Sequence, residues 1–234
     1  MPERIPKREG GAVPVPGTDD GEDTADLELP PDLTGAPAGY GDGERPAADR
    51  PDLLDNVGDW GPIATAVGVF QLIPVHLARD LSLIATWMND PEVHAFWRLA
   101  GPDEDTAAHI ARQLDGDGRS RPCLGVLDGL PMSYWEIYRA DLDPLARYYP
   151  SRLHDTGVHV LIGSAEDRGR GLGTALLRGV VDLVLRNRPR CARVVAEPDV
   201  RNAASLAAFR AAGFRRVTDA ELPGKCAALM IRDR

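Results

Sequence analysis

The sequence predicts an α+β fold, in which one central mixed sheet carries helices on its faces. Three observations predict it. Short apolar and β-branched runs bounded by turn residues are typical of strands, and they occur in both halves of the chain. Other segments carry apolar residues at helical spacing, most clearly after Leu172. The order of strands and helices is mixed, and no internal repeat is visible.

The first elements fall between residues 67 and 163. A strand is predicted at about 67–75. The helix predicted next, at 77–89, ends before Pro91, because proline disfavours helical backbone in the residue that precedes it. Further short elements follow, with a turn-rich loop before the last one: helices at about 91–98 and 103–114, and strands at about 122–127, 131–138 and 157–163.

The remaining elements begin with the clearest helix of the chain. From Leu172 onward one apolar stripe lies opposite Arg178, Asp182 and Arg186. A strand at about 192–196 and a helix at about 200–212 come next, and Gly213 stands where a glycine commonly ends a helix. Two strands, at about 214–218 and 226–232, complete the predicted sheet.

The chain is predicted to divide into a tail, residues 1–60, and a globular domain, residues 61–234. The tail carries fifteen acidic and five basic residues, with nine prolines and nine glycines, so it accounts for the net charge of -9. Such a segment buries too little apolar surface to offset its conformational entropy, and we expect it to be disordered. The domain is close to neutral, so the acidic net charge of the chain argues only weakly against a nucleic-acid partner.

Cysteine usage and hydropathy indicate a cytoplasmic protein. Cys123, Cys191 and Cys226 are widely spaced in apolar surroundings, as reduced core residues are. No apolar core follows the basic residues near the N-terminus, so no secretory signal is expected, and no run is long enough for a membrane span. No close Cys/His pair has ligand spacing, and we expect no metal site.

The most informative segment is a glycine-rich loop before the clearest helix. Glycines allow backbone N–H groups to approach a ligand, and a helix N-terminus favours an anion, so the loop is a candidate pyrophosphate cradle. Its glycines are spaced G-x-G-x-G, unlike the dinucleotide fingerprint, and no Lys-Ser/Thr pair of a P-loop follows. An ordinary glycine-rich turn is the alternative. The candidate ligands are Arg168, Gly169, Arg170, Gly171, Leu172, Gly173 and Thr174.

This loop resembles the coenzyme A loop of GNAT acetyltransferases, through Arg168, Gly171 and Gly173. A second GNAT motif, an Asn-led helix that ends in Gly-Phe, is matched from Asn202 to Gly213. The resemblance implies a GNAT-like fold and implies that Asn202 faces the coenzyme. Phe209 stands where the family commonly has the tyrosine that protonates the leaving thiolate, so that acid is absent here.

Five further segments, spread in order over residues 67–234, resemble the N-acyltransferases of aerobactin, alcaligin, desferrioxamine and mycobactin biosynthesis. They are Trp87–Trp97, Tyr134–Tyr138, Gly157–Gly163, Val195–Asn202 and Ala227–Met230. The resemblance implies transfer of an acyl group from acyl-CoA to the primary or N-hydroxylated amine of lysine, ornithine or cadaverine. It leaves the acyl length and the oligomeric state open.

The same resemblance implies that His159 and Glu197 activate the amine. An alkylammonium must lose a proton before it attacks, and histidine is a natural acceptor near pH 7. Backbone N–H groups of the strand around Val160, Leu161 and Ile162 would bind the coenzyme and meet the oxyanion. The candidate acceptor-binding residues are Trp97, Glu136 and Tyr138.

Two other functions stay open from the sequence. An aminoglycoside N-acetyltransferase shares the loop and the Asn-led helix, but it needs an acidic cleft for a polycation, and this domain is neutral. A module that binds coenzyme A without catalysis is supported only by Phe209. In many relatives a histidine precedes the lysine near the C-terminus, whereas this chain has Gly224-Lys225.

Overall fold

The computed structural model describes residues 53–54 and 56–234. Over this part of the chain, eight strands form one sheet in the order β1-β2-β3-β4-β5-β6-β8-β7. The strands are β1 (Ile63–Thr65), β2 (Gly68–Pro74), β3 (Ser120–Leu127), β4 (Leu130–Arg139), β5 (Thr156–Ile162), β6 (Arg193–Ala196), β7 (Arg215–Leu222) and β8 (Lys225–Asp233). The β5–β6 pair is parallel and the other neighbours are antiparallel, so the predicted mixed sheet is confirmed.

The helices of the same residues lie close to their predicted positions. They are α1 (Leu77–Met88), α2 (Pro91–Trp97), α3 (Asp103–Leu114), α4 (Leu172–Asn187) and α5 (Ala203–Ala211). The Asp90 side chain caps α2 by accepting from the Glu92 amide at 2.8 Å. Helix α5 begins three residues later than predicted, because Asn202 is its N-cap and accepts from the Ser205 amide. The short strand β1 was not predicted.

Side chains of the central strands point alternately to the two faces of the sheet, so the core has two layers. Tyr134 on β4 packs with Ile84 and Ile110 on the side of α1–α3. Its neighbour Trp135 belongs to the larger cluster with Leu176 and other α4 and α5 residues. Because side chains of a strand alternate between faces, Glu136 shares the α1–α3 face with Tyr134.

The sheet opens between β5 and β6. These parallel strands pair only at Thr156↔Val194 and Gly157↔Val195, and they part beyond that point. His159 lies just past the last pair on β5, and Glu197 directly follows β6. The opening therefore places two of the predicted site residues opposite each other.

The predicted domain boundary at residue 60 is too late. Leu54, Val57 and Trp60 are buried in the larger core cluster, together with Phe70 and residues of α4. The Leu54 amide donates to the Gly118 carbonyl at 3.0 Å. The apolar side chains recur every three residues within a segment whose average composition is that of a tail. Residues 1–52 and 55, where the tail was also predicted, lie outside the described residues.

A chain that begins at residue 61 is therefore expected to melt well below the full-length chain. It loses three buried side chains, and each fully buried apolar side chain contributes about 1.5–3 kcal/mol. A chain that begins at residue 53 keeps all three and serves as the matched control, with an expected melting temperature near that of the full chain. Equal melting temperatures for the two shortened chains, measured by scanning calorimetry, would contradict this assignment.

None of the described helices is long and apolar enough to cross a membrane.

Candidate active site

Three side chains form a continuous hydrogen-bonded row across the opening in the sheet: Glu136, His159 and Glu197. Glu136 and His159 are directly paired on β4 and β5, and His159 Nδ1 lies 2.9 Å from Glu136 Oε2. His159 Nε2 bonds to Glu197 Oε1 on the other side. The two carboxylates are buried, whereas 34% of the His159 side chain is exposed. The row is thus held by buried acids and is reachable from the solvent at its centre.

Glu136 is held by a set of donors on the α1–α3 face. Its Oε1 atom contacts His109 Nε2 at 2.5 Å, Gln113 Nε2 at 2.6 Å and the Tyr134 hydroxyl at 3.0 Å. His109 and Gln113 are four residues apart on α3, so they share one face of that helix. Sequence reasoning missed both residues. Their helical spacing was the available signal, but only the fold brings them to Glu136.

Glu197 is fixed by residues from two other strands. The Tyr138 hydroxyl donates to Glu197 Oε2 at 2.7 Å, and the Tyr138 ring lies 4.8 Å from the His159 ring. A side chain at Gly157 would collide with that ring, because its Cβ would fall 2.0 Å from Tyr138 Cζ. Lys225 Nζ donates to the Glu197 carbonyl at 2.8 Å and lies 3.7 Å from Glu197 Oε1.

These contacts make His159 an imidazolium in the free protein. Loss of water contacts lowers the pKa of His159, but the adjacent Glu197 and Glu136 carboxylates outweigh this and raise it to about 10. Burial raises the pKa of Glu197, but His159 and Lys225 outweigh it and lower it to about 2. The pKa of Glu136 is likewise held well below its usual value despite burial, by His109 and His159. Both ring nitrogens of His159 face carboxylate oxygens and therefore both carry protons.

This charge state predicts how stability depends on pH. The raised pKa of His159 adds to the free energy of unfolding. This contribution is fully present below pH 6.5, the ordinary histidine pKa, and is lost as the pH rises towards about 10. The stabilisation from the lowered Glu197 pKa is full above 4.5 and is lost as pH falls towards about 2. We therefore expect the melting temperature of wild type to exceed that of His159→Gln most at about pH 5–6. The difference should shrink towards pH 10. A difference that stays constant from pH 5 to 10 would contradict the charged row.

Two cavities meet at the row, and both are lined by His109, Glu136 and His159. The first, of about 230 Å³, extends towards α5 and is also lined by residues that include Trp97, Val160, Asn202, Phe209 and Lys225. The second, of about 480 Å³, extends under α3 and the loop after β4, with Tyr138 in its wall. The three predicted acceptor-binding residues are thus divided, with Trp97 in the first cavity, Tyr138 in the second and Glu136 in both.

The glycine-rich loop has the geometry of an anion cradle. Gly169 and Gly171 have positive φ angles of 70° and 81°, and Gly171 is the N-cap of α4. The first bond of that helix runs from the Ala175 amide to the Gly171 carbonyl. The amides of residues 172–174 therefore precede the first donor of the helix and have no carbonyl within the helix to donate to. Free amides at a helix N-terminus fit a pyrophosphate.

Arg168 has a different position from the one predicted. Its guanidinium donates to the Ile162 carbonyl at 3.1 Å and the Gly163 carbonyl at 2.7 Å, and it also bonds to Asp90 and Glu92. These contacts tie the loop to β5 and to the start of α2, so the guanidinium is engaged within the protein. Arg170 is the exposed cation of the loop, with 67% of its side chain accessible.

The remaining predicted coenzyme residues lie around the first cavity or near it. Asn202 lines the cavity while its side-chain oxygen caps α5. Val160 lines the same cavity, while Leu161 is buried on the α1–α3 face. Ile162 is half-buried near Gly173, whose added Cβ would lie 3.9 Å from Ile162 Cγ1. Phe209 packs on Phe214 and presents no hydroxyl to the cavity.

No group of three or more His, Cys, Asp or Glu side chains suited to a metal ion occurs among the described residues. Hydrogen bonds and opposite charges between protein side chains hold the Glu136–His159–Glu197 row in place.

An open mixed sheet with a glycine-rich loop at the N-terminus of the following helix is the architecture of an acyltransferase of the GNAT class. The chain belongs to the acetyltransferase (GNAT) domain family, whose family model matches residues 76–222.

Two curated relatives refine the comparison. N(6)-hydroxylysine O-acetyltransferase of Escherichia coli is 35% identical over 155 residues, which are 66% of this chain and 49% of that protein. The chain thus spans about half the length of this relative. The lysine N-acyltransferase MbtK of Mycolicibacterium paratuberculosis is 34% identical over 189 residues, which are 81% of this chain and 84% of that protein.

Solved structures give the same fold. An uncharacterised protein from Bacillus halodurans superposes with a TM-score of 0.70 at 33% identity, covering 74% of this chain and 89% of that one. The aminoglycoside acetyltransferase AAC(6')-Ib in complex with coenzyme A has a TM-score of 0.62, covering 70% of this chain and 95% of that one. Its identity of 23% supports a shared fold only.

Proposed function

We propose that this chain transfers an acyl group from acyl-CoA to the primary or N-hydroxylated amine of a lysine-, ornithine- or cadaverine-type molecule in hydroxamate siderophore biosynthesis. The observation that carries the proposal is the Glu136–His159–Glu197 row, which lies at the opening of the sheet and faces both cavities. The curated relatives act, by their names, on lysine or hydroxylysine.

The two substrates would approach the row from different cavities. The loop at 168–174 would bind the pyrophosphate through its backbone amides, and the first cavity, with Val160 and Asn202, would receive the thioester end. The second cavity would receive the amine beside Glu136 and Tyr138. The amine nitrogen then forms the new bond to the acyl carbon as the bond from that carbon to sulfur breaks.

The row would move one proton in this exchange. The attacking nitrogen must lose a proton and the departing sulfur must gain one. Glu197 is ionised and can accept the proton from the nitrogen, and the His159 imidazolium can supply the proton to the sulfur, which Phe209 cannot. The proton taken up by Glu197 then passes to His159 across their hydrogen bond, which restores the row. Because His159 already carries its proton, the row suits an amine that arrives neutral. An N-hydroxylated amine, which is far less basic than an alkylamine, meets this condition.

The two alternative functions have less support. An aminoglycoside N-acetyltransferase would need an acidic cleft, and the domain is close to neutral. A coenzyme-binding module without catalysis would not need an intact row of three ionisable side chains. The free thiols of Cys123, Cys191 and Cys226 support a reducing compartment such as the cytoplasm as the place of the reaction.

The test is thiol release from acetyl-, succinyl- and palmitoyl-CoA in the presence of single amines. Lysine, ornithine, cadaverine, their N-hydroxy forms and kanamycin form the panel, and a reaction without amine measures hydrolysis. We expect release with one or more of the small amines and mass-spectrometric detection of the amide. Release with kanamycin alone would favour the aminoglycoside function. Binding of acyl-CoA without release for any amine would favour the silent module.

A further inference from the structure

The second cavity is lined by ionisable side chains of both signs. Glu136, Tyr138 and Arg139 are buried in its wall, beside the His159 imidazolium. Asp143 is exposed and lies close enough to Glu197 and His159 for their charges to act on it. The outer arginines, Arg112 and Arg119, are both exposed. Carboxylates and exposed guanidinium groups therefore line the same cavity.

The two outer arginines differ in how far they are engaged. Arg119 pairs with Asp117 at 2.6 Å, and its Nη1 lies 3.5 Å from the Leu142 carbonyl. Arg112 has no ion pair with any described residue within 4 Å. Arg112 is three residues beyond His109 on α3, so the helix that supports Glu136 also positions Arg112 at the cavity rim.

Building on the proposed function, we propose that the second cavity selects an ω-amino acid chain carrying a free α-carboxylate, with the ω-amine at Glu136 and Asp143 and the carboxylate at Arg112. A guanidinium can bind a carboxylate through two parallel hydrogen bonds. Arg119 lines the same cavity and adds a second positive charge that attracts the carboxylate. Lysine, ornithine and their N-hydroxy forms have this pattern.

The same rim disfavours diamines. Cadaverine matches lysine except that it lacks the carboxylate, so its second ammonium would lie beside two guanidinium groups. Like charges at such a site reduce affinity, and the bidentate contact is also lost. A polycationic aminoglycoside meets the same obstacle. Arg112 is thus a specificity-determining residue that favours amino acids over diamines.

The experiment compares N-hydroxylysine with N-hydroxycadaverine in wild type, Arg112→Gln and Arg190→Gln. Arg190 is exposed and lines neither cavity, so its variant is a matched control for the loss of one arginine. A hydrogen bond to a charged group is worth about 1.5–3 kcal/mol. We therefore expect Arg112→Gln to raise KM for N-hydroxylysine by about 10- to 100-fold and to leave KM for N-hydroxycadaverine unchanged or lower. Arg190→Gln should match wild type.

Calorimetric binding of lysine and cadaverine to wild type and Arg112→Gln gives a readout that needs no turnover. Loss of lysine affinity in Arg112→Gln alone supports the carboxylate site. Equal losses for both ligands, or an unchanged preference, would overturn it. A change in acyl-CoA affinity instead would show that Arg112 serves the coenzyme, which would also overturn it. Absence of thiol release with every amine refutes the proposed function, whereas the binding data still decide the role of Arg112.

Discussion

Replacing His159 with alanine is expected to lower the turnover number by about 10²–10⁴-fold, the usual contribution of a general acid or base. The expectation follows from the position of His159 between two buried carboxylates at the junction of both cavities. Acyl-CoA affinity should barely change, because the loop to which we assign the pyrophosphate lies outside the strand that carries His159. Steady-state kinetics and calorimetry with acyl-CoA measure the two quantities separately.

The loss should not depend on the acceptor. In the proposed role His159 protonates the departing thiolate, which leaves in both reactions, so a plain alkylamine and an N-hydroxylated amine should suffer similar losses. His76→Ala is the matched control, since His76 is exposed at the start of α1 and makes no side-chain cap bond. Normal rates of a folded His159→Ala protein on an alkylamine would refute the assigned role.

Glu197→Gln distinguishes proton transfer from positioning. Glutamine keeps the shape, and its one carbonyl oxygen can accept from either His159 or the Tyr138 hydroxyl, but it carries no charge and cannot take up a proton. If Glu197 accepts the amine proton, this variant should lose nearly as much turnover as His159→Ala. If Glu197 only orients His159, the loss should be clearly smaller.

Most of the fold was predictable because its signals are local. The helix from Leu77 to Met88 ends where the following Asn-Asp-Pro sequence predicts, and the apolar stripe after Leu172 gives α4. These features depend on backbone sterics and on periodicity within one segment. Strand β1 escaped prediction because three residues are too few to form a pattern.

The features that were missed depend on contacts between distant segments. Arg168 bonds to Asp90 and Glu92 across more than seventy residues, so no local pattern separates it from a phosphate ligand. The tail boundary was missed for a different reason. Composition was averaged over sixty residues, and this average concealed the regular spacing of Leu54, Val57 and Trp60.

The Glu136–His159–Glu197 row contains one feature that was predicted and one that was missed. His159 and Glu197 follow from resemblance to a family of known chemistry, and their neighbourhood in the fold is consistent with it. The charge of His159 did not follow, because it depends on Glu136 and Glu197 arriving from two other strands. The raised pKa keeps a proton on His159 in the free protein, a charge state that the sequence alone did not predict.

Replacing Gly171 with valine is expected to weaken acyl-CoA binding by about 100-fold, equivalent to about 2.7 kcal/mol. A side chain at the N-cap of α4 would stand in front of the free amides that we assign to the pyrophosphate. Gly171 also has a φ of 81°, where a residue with a side chain is strained by about 1–2 kcal/mol. The variant thus changes two quantities at once, and a control must separate them.

Gly129→Val provides that control. Gly129 has a φ of 85° in the turn between β3 and β4, and an added Cβ has nothing within 4 Å at either glycine. The two variants should lose similar stability, but only Gly171→Val should lose acyl-CoA affinity. Gly173→Val adds a test without positive-φ strain, because Gly173 has no positive φ, and the atom nearest to its Cβ would be Ile162 Cγ1 at 3.9 Å. Unchanged calorimetric affinity in folded Gly171→Val and Gly173→Val would show that the pyrophosphate binds elsewhere.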